Sequence, residues 1–247
     1  MCSLWLPKAG NRLDEYEDAF WPTRSATREA RVIRCAVADG ATEASFSGLW
    51  ARMLVRAFGR GQIRPEGILD AIRPLQIAWR AEVGRTPLPW YAEEKLRSGA
   101  FSSLLGLTLK QRRQNEQVVW SAMAVGDTCL FIVRDHELVT TFPLDDADSF
   151  DNSPHLVSSI SARNGALKSV MCRQSGVARP GDRFYLATDA LACWLLRRHE
   201  DGSEPWDELD DLARDTSCQG FATWAANERR DHRMRNDDVT LLRFCLE

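Results

Sequence analysis

The sequence lacks the patterns that mark several common classes of protein. Its seven cysteines are scattered and include no C-x-x-C pair, which argues against a disulfide framework or a zinc ribbon. No apolar run is long enough to cross a bilayer, and the amino terminus turns polar within seven residues, unlike a secretory signal. Lysine and arginine total 32 against 35 acidic residues, so no basic excess favours nucleic acid as a partner. We therefore expect a cytoplasmic protein with free thiols that binds neither a membrane nor nucleic acid.

Several catalytic motifs are missing as well. No cysteine has arginine six residues later, as the phosphate-binding loop of a cysteine-based phosphatase requires. The chain has no G-x-x-x-x-G-K-[ST] loop, no G-x-G-x-x-G and no G-x-S-x-G elbow. Its four histidines are isolated and lack the H-E-x-x-H spacing of a zinc protease. A Ser-His-Asp triad stays open, although no local motif indicates one.

What is present is an ordinary globular composition over 247 residues, with 44% hydrophobic and 27% charged residues. A chain of this length buries roughly 70% of its unfolded surface and does not depend on disulfides or metals for its stability. No linker, repeat or low-complexity tract interrupts it. We therefore predict one domain over residues 1–247.

Hydrophobic spacing predicts helices early and late in the chain, with short strands between them. Helical spacing is found at 44–58, 64–84, 189–198 and 206–226. Short apolar or alternating segments that predict strands lie at 31–38, 101–109, 117–124, 128–133, 138–142, 183–188 and 239–245. Consecutive strands with flanking helices favour an α+β layered domain over an alternating parallel one.

Carboxylates stand at the ends of these predicted strands. If the strand ends meet in one cleft, the carboxylates repel one another unless they are protonated or neutralised by cations. An all-oxygen ligand set suits Mg²⁺ or Mn²⁺ rather than zinc. Each acid taken alone is better explained as a turn former or helix cap, so the hypothesis depends on the whole set. The set is Glu17, Asp18, Asp39, Asp127, Asp189, Asp237 and Asp238.

Six short segments, taken in order, resemble the metal-dependent protein phosphatases, the type 2C serine/threonine family. They are YEDAF at 16–20, VADGATEAS at 37–45, GAFSSLLGLTL at 99–109, SAMAVGDTCLFIVRDHEL at 121–138, PGDRFYLATDAL at 180–191 and NDDVTLLRF at 236–244. Each segment is short, but together they follow the family's order over nearly the whole chain. The resemblance implies a four-layer sandwich of two antiparallel β-sheets flanked by helices. It also implies hydrolysis of phosphoserine or phosphothreonine in proteins.

The resemblance also implies a metal centre with two Mn²⁺ or Mg²⁺ ions. By position, Asp39 would bridge both ions and the Gly40 carbonyl would bind one of them. Asp189 and Asp237 would hold the other ion. The nucleophile would be a water molecule bridging the two ions rather than a side chain.

Three further residues receive roles from the same resemblance. Glu17 and Asp18 would bind metal-coordinated waters. Arg12 lies one residue away from the family's phosphate-binding arginine and is the candidate phosphate contact. The implied partners are a phosphorylated protein and, with it, a serine/threonine kinase or its targets.

The sequence departs from the family pattern near these residues. Ala41 follows the D-G pair where the family usually continues with glycines, and Thr188-Asp189-Ala190 replaces S-D-G. Cys193 stands where many members carry a carboxylate of a third metal site, so a third ion is doubtful although Asp127 is retained. These changes leave two alternatives open. One is a non-catalytic module that binds phosphoproteins or regulates them, and the other is an unrelated fold in which the acids only form turns.

Overall fold

A computed structural model describes residues 1–22, 32–41, 46–85, 98–112, 117–150, 154–214 and 219–247. Within these ranges the helices are α1 Ser47–Gly59, α2 Ile68–Val83, α3 Leu167–Val170, α4 Asp189–Glu200, α5 Pro205–Arg214 and α6 Gln219–Arg230. The strands are β1 Cys2–Leu6, β2 Ala19–Trp21, β3 Val32–Ala38, β4 Phe101–Ser102, β5 Leu104–Gln111, β6 Val118–Val125, β7 Cys129–Arg134, β8 Glu137–Phe142, β9 Val157–Ser158, β10 Cys172–Ala178, β11 Arg183–Ala187 and β12 Val239–Cys245. None of the described helices is both long and apolar enough to span a bilayer.

Ten of these strands form two five-stranded antiparallel sheets. Sheet I has the order β1-β12-β11-β7-β8, and sheet II has the order β10-β6-β5-β3-β2. The short strands β4 and β9 pair separately. Helices α4, α5 and α6 pack on the outer face of sheet I, and α1 and α2 pack on the outer face of sheet II. The predicted α+β sandwich of four layers is confirmed.

Strand β3 shows how the alternating side chains of one strand divide between two cores. Cys35 and Val37 point into the core between the two sheets, where they join apolar residues of both. Ala36 and Ala38 point the other way and pack beneath α1 with Trp50. This period of two is what a strand buried on both faces requires.

Antiparallel pairing brings the acidic strand ends to one end of the sandwich. In sheet I, Ala187 at the end of β11 is the register partner of Cys129 at the start of β7 and of Leu241 near the start of β12. In sheet II, Ala38 at the end of β3 pairs with Ala19 at the start of β2. The carboxylates that flank these five strands therefore leave the two sheets near one another.

The structure differs from the sequence-based prediction at several places. Strands β1, β2 and β9 and the short helix α3 were not predicted. Strand β10 was not predicted, because most of its residues are polar and exposed and it lies at the edge of sheet II. Instead of one helix over 206–226 the structure describes α5 and α6, with residues 215–218 outside the described part. Residues 86–97, between α2 and β4, lie outside the described part as well.

Candidate active site

The turn after β3 carries Asp39 and Gly40 and is fixed by hydrogen bonds to Ser103. The backbone N–H of Asp39 donates to Ser103 Oγ at 2.9 Å, and the N–H of Ser103 donates to the Asp39 carbonyl at 2.9 Å. A Cβ on Gly40 would lie 2.7 Å from the carbonyl oxygen of Glu17 and 2.9 Å from the carbonyl carbon of Ser47. Because both neighbours are backbone atoms, only glycine fits where these three segments meet.

Asp18 is buried with one oxygen satisfied and one without a partner. Asp18 is only 2% exposed, and its Oδ2 accepts a hydrogen bond from Thr240 Oγ1 at 2.6 Å. The Tyr16 hydroxyl also hydrogen-bonds to Thr240. In the described part of the chain, Asp18 Oδ1 has no hydrogen-bond partner. A buried polar oxygen without a partner is costly, so this atom indicates a missing ligand such as a cation or a water.

Glu17 is held by Asp238, a member of the predicted set of strand-end carboxylates, and by Ser47, to which the sequence assigned no role. Its backbone N–H donates to Asp238 Oδ2 at 2.6 Å, and the Ser47 hydroxyl donates to its carboxylate. The other oxygen of Asp238 accepts from the backbone N–H of Lys8 at 2.8 Å. Asp238 therefore ties the segment before β2 to the start of β12. Its position beside Asp237 in the last motif was the only sequence signal for it.

Three further carboxylates lie at the ends of strands in sheets I and II. Asp189 begins α4, and its Oδ1 accepts from the backbone N–H of Ala190 at 2.6 Å. Asp237 Oδ1 accepts from the N–H of Asp238 at 2.9 Å. Asp127 is buried in the turn between β6 and β7. The local bonds of Asp189 and Asp237 engage the Oδ1 oxygen of each and orient its side chain.

The electrostatics show that the carboxylates act on one another. Burial, followed by the neighbouring carboxylates, raises the pKa of Asp39 well above its ordinary value. Burial raises the pKa of Asp18 well above its ordinary value too. The pKa of Asp189 rises from 3.8 to about 7, chiefly through burial and then through Asp127 and Asp237. We call these five residues the acidic cluster: Asp18, Asp39, Asp127, Asp189 and Asp237.

The donor set of the acidic cluster fits divalent cations. Its side chains offer only oxygen atoms, which Mg²⁺ and Mn²⁺ prefer. Within the described ranges, no lysine or arginine forms an ion pair with Asp18, Asp39 or Asp189. Among the described residues, no three carboxylates of the acidic cluster bring oxygens within 4.8 Å of one another. Cations would offset the mutual repulsion that raises these pKa values.

The candidate phosphate contact, Arg12, faces another side chain in this structure. Its guanidinium binds Asp14 through two hydrogen bonds, of 2.9 and 2.7 Å, and both residues are exposed. A different arginine acts on the acidic cluster. The positive charge of Arg235 offsets part of the rise in the pKa of Asp189 that burial and the neighbouring carboxylates cause. The Nη2 of Arg235 donates to the Phe150 carbonyl at 3.2 Å. Sequence reasoning missed Arg235, although it directly precedes the last motif.

Cys193 lies in the hydrophobic core beneath sheet I. It is 4% exposed, and its thiol donates to the Ala147 carbonyl at 3.7 Å. Burial raises the pKa of this thiol. The residue at the position of the third-metal carboxylate therefore packs as a small apolar side chain.

Comparison with known protein families matches residues 15–235 to the family described as protein phosphatase 2C. The chain belongs to the protein phosphatase 2C family. The predicted membership of this family is thereby confirmed, and the chain is a phosphoprotein phosphatase by family. Phosphatases of the protein phosphatase 2C family use Mn²⁺ or Mg²⁺.

Solved structures, two of them of a serine/threonine phosphatase, share the fold over nearly their whole length. The Mycobacterium tuberculosis serine/threonine phosphatase PstP/Ppp has a TM-score of 0.59 and 18% identity, covering 99% of this chain and 97% of its own. The PstP catalytic domain in complex with two manganese ions has a TM-score of 0.53 and 16% identity, with coverage of 99% and 97%. PppA, from the type VI secretion system of Pseudomonas aeruginosa, has a TM-score of 0.51 and 18% identity, with coverage of 98% and 94%. A search of curated protein sequences finds no significant match.

Proposed function

We propose that this protein phosphatase 2C chain hydrolyses phosphoserine and phosphothreonine monoesters in proteins with two Mn²⁺ or Mg²⁺ ions. The ligands would be the carboxylates of Asp39, Asp189 and Asp237 and the carbonyl of Gly40. The observation that carries the proposal is a cluster of buried and half-buried, mutually repelling carboxylates, in which Oδ1 of Asp18 has no hydrogen-bond partner among the described residues. Bound divalent cations would offset the repulsion between these carboxylates and so stabilise the cluster.

When bound, a pair of divalent cations lowers the pKa of water enough to give a nucleophile at neutral pH and offsets charge on the phosphoryl group. The protein's part is to hold water and substrate in place. Asp18, oriented by Thr240, and Glu17, oriented by Asp238 and Ser47, would accept hydrogen bonds from water in the site. Fixed acceptors of this kind reduce the reorganisation that the reaction requires.

The proposal involves two ions rather than three. Asp127 is present and acts on Asp189, so one carboxylate of a third site is available. Cys193 is buried among apolar side chains and supplies no oxygen. A third ion would therefore bind weakly at Asp127.

Arg12 remains the proposed phosphate contact. Its partner Asp14 is exposed, and an exposed ion pair contributes at most about 1 kcal/mol. Substrate phosphate could therefore displace Asp14 at little cost. The substrates would be products of a serine/threonine kinase, since that is the reaction that supplies these monoesters.

The decisive experiment compares Asp39→Asn with Asp70→Asn in a phosphothreonine-peptide assay with Mn²⁺. Asp70 is an exposed residue of α2 and undergoes the same chemical change outside the cluster. We expect Asp39→Asn to lower kcat/KM by at least about 100-fold, and Asp70→Asn to leave it within about twofold. Chelation with EDTA should abolish turnover of the parent chain, and added Mn²⁺ should restore it.

Two outcomes would contradict the proposal. Turnover that survives both EDTA and Asp39→Asn would exclude a metal-dependent mechanism at this cluster. Binding of the phosphopeptide without turnover under any metal condition would favour the non-catalytic, regulatory alternative.

A further inference from the structure

A row of polar side chains crosses the outer face of sheet II. Arg34 of β3 is the register partner of Thr108 in β5, and Thr108 is the partner of Ser121 in β6. Ser121 is in turn the partner of Ser175 in the edge strand β10. Register partners point to the same face of a sheet, so these four side chains form one row. The neighbouring residue Cys35 points to the opposite face, into the core between the sheets.

This row lines a cavity of about 560 Å³ between sheet II and the segment that follows α1. The opposite wall is formed by Phe58 near the end of α1 and by Ile63 and Pro65 after it. Two more arginines, Arg64 and Arg173, contribute to the lining. The volume lies within the range of small-molecule binding sites.

The charge in the cavity is predominantly positive. Its lining holds three arginines and a single carboxylate, Glu66. Glu66 forms an ion pair with Arg173 at 3.4 Å, and both side chains are largely exposed, so this pair neutralises little charge. Arg34 and Arg64 form no hydrogen bond or ion pair with the described part of the chain. Arg34 and Arg64 therefore contribute positive charge to the cavity lining and form no ion pair with a carboxylate of the described residues.

We propose that this arginine pocket binds a small, multiply charged phosphate-bearing anion. A guanidinium presents a planar pair of N–H donors that matches two phosphate oxygens, and the three hydroxyls of the row add further donors. The row lies in the middle of the strands, whereas the acidic cluster lies at their ends. Arg34 is five residues from Asp39, which is about 16 Å along an extended strand. The pocket is therefore a second site of opposite charge, separate from the proposed site of hydrolysis.

Titration of the chain with inorganic pyrophosphate by isothermal calorimetry, in the presence of EDTA, tests this proposal. EDTA removes the cations through which an anion would bind at the acidic cluster, so binding under chelation reports on the arginine pocket. We expect saturable binding of one pyrophosphate per chain that weakens as NaCl is raised. The outcome is independent of turnover, so failure here would leave the proposed phosphatase activity untouched.

Variants identify the residues that bind the anion. Arg34→Gln and Arg173→Gln should each weaken the affinity by about tenfold, because each removes a charge-assisted donor. Arg80→Gln, an equal change of charge at an exposed position of α2, should stay within about twofold of the parent chain. Arg173 and Ser175 are exposed on an edge strand, so Arg173→Gln and Ser175→Glu keep the test valid if Arg34→Gln misfolds. No pyrophosphate binding at millimolar concentration, or binding that Arg173→Gln and Ser175→Glu leave unchanged, would overturn the proposal.

Discussion

The hydroxyl of Thr240 donates to Oδ2 of Asp18 at 2.6 Å and so joins two residues that are 222 positions apart in the chain. The bond links the first residues of β12 to the segment before β2, and therefore links sheet I to sheet II at the acidic cluster. It occupies one oxygen of Asp18 and leaves Oδ1 as the oxygen without a partner. The orientation of this carboxylate thus depends on a residue from the opposite end of the sequence.

Replacement of Thr240 tests whether that orientation matters. Thr240→Val keeps the volume but removes the donor, so we expect a decrease of about 10-fold or more in kcat/KM and in Mn²⁺ affinity. Thr240→Ser retains the hydroxyl and should recover most of both quantities. A Thr240→Val variant that is less stable but keeps full Mn²⁺ affinity would show that the hydroxyl serves only the fold.

Gly40→Ala tests the close approach of three segments at the acidic cluster. The new methyl group would meet backbone atoms of Glu17 and Ser47, which cannot move aside as a side chain can. We expect a loss of about 2 kcal/mol in the free energy of unfolding, measured in urea, together with a loss of activity. Gly165→Ala is the matched control, because nothing lies within 4 Å of a Cβ at that position. Equal effects from the two substitutions would contradict the role of Gly40.

The stability of the metal-free protein should depend on pH in a direction set by the acidic cluster. Asp189 has a pKa of about 7 in the folded protein against an ordinary value of 3.8. Between these values the folded state keeps a proton that the unfolded state has lost, so stability falls as pH rises from about 4 to about 7. Thermal unfolding in EDTA should therefore give a higher Tm at pH 5 than at pH 7.

Two comparisons separate the contribution of Asp189 to the pH dependence of Tm from that of the other titratable groups. Asp189→Asn should flatten the fall in Tm, since that position no longer titrates. Added Mn²⁺ should raise Tm more at pH 7 than at pH 5, because cations compete with protons for the same oxygens. A Tm in EDTA that rises across this interval would show that the carboxylates are not repelling one another in the folded state.

Cys193→Ala tests whether this buried thiol serves the core rather than the metal centre. Its burial beneath sheet I predicts a loss of about 1 kcal/mol in stability, because a small cavity replaces the sulfur atom. Activity with Mn²⁺ should remain within about twofold of the parent chain. A large loss of activity with unchanged stability would instead assign the thiol to the catalytic site.

Local patterns in the sequence predicted much of the fold. Apolar spacing located α1 and α2, and β-branched runs located most strands of both sheets, because these elements bury apolar faces. Strand β10 escaped prediction because its outer face carries Arg173 and Ser175 rather than apolar residues. Its pairing with β6 comes from backbone hydrogen bonds, which leave no mark in the side-chain pattern.

The candidate site could be predicted only in part, because local motifs are visible in the sequence and long-range hydrogen bonds are not. The strand-end acids Asp39, Asp189 and Asp237 stand in recognisable motifs, so their identity and order are visible in the sequence. Asp238 stands in the same motif as Asp237, but its bond to Glu17 and the bond of Thr240 to Asp18 join residues more than 200 positions apart and are not visible in the sequence.

The sequence by itself determined which functional groups this protein carries: a set of carboxylates in the family's order, and no nucleophilic cysteine motif. Only the tertiary structure decided which of those carboxylates face one another, which oxygen of Asp18 is left without a partner, and which arginines line a cavity. The physical reason is that pairing in an antiparallel sheet joins residues by register and not by proximity in the chain. Arg34 and Ser175 are 141 positions apart in the sequence, yet they lie in one row across sheet II.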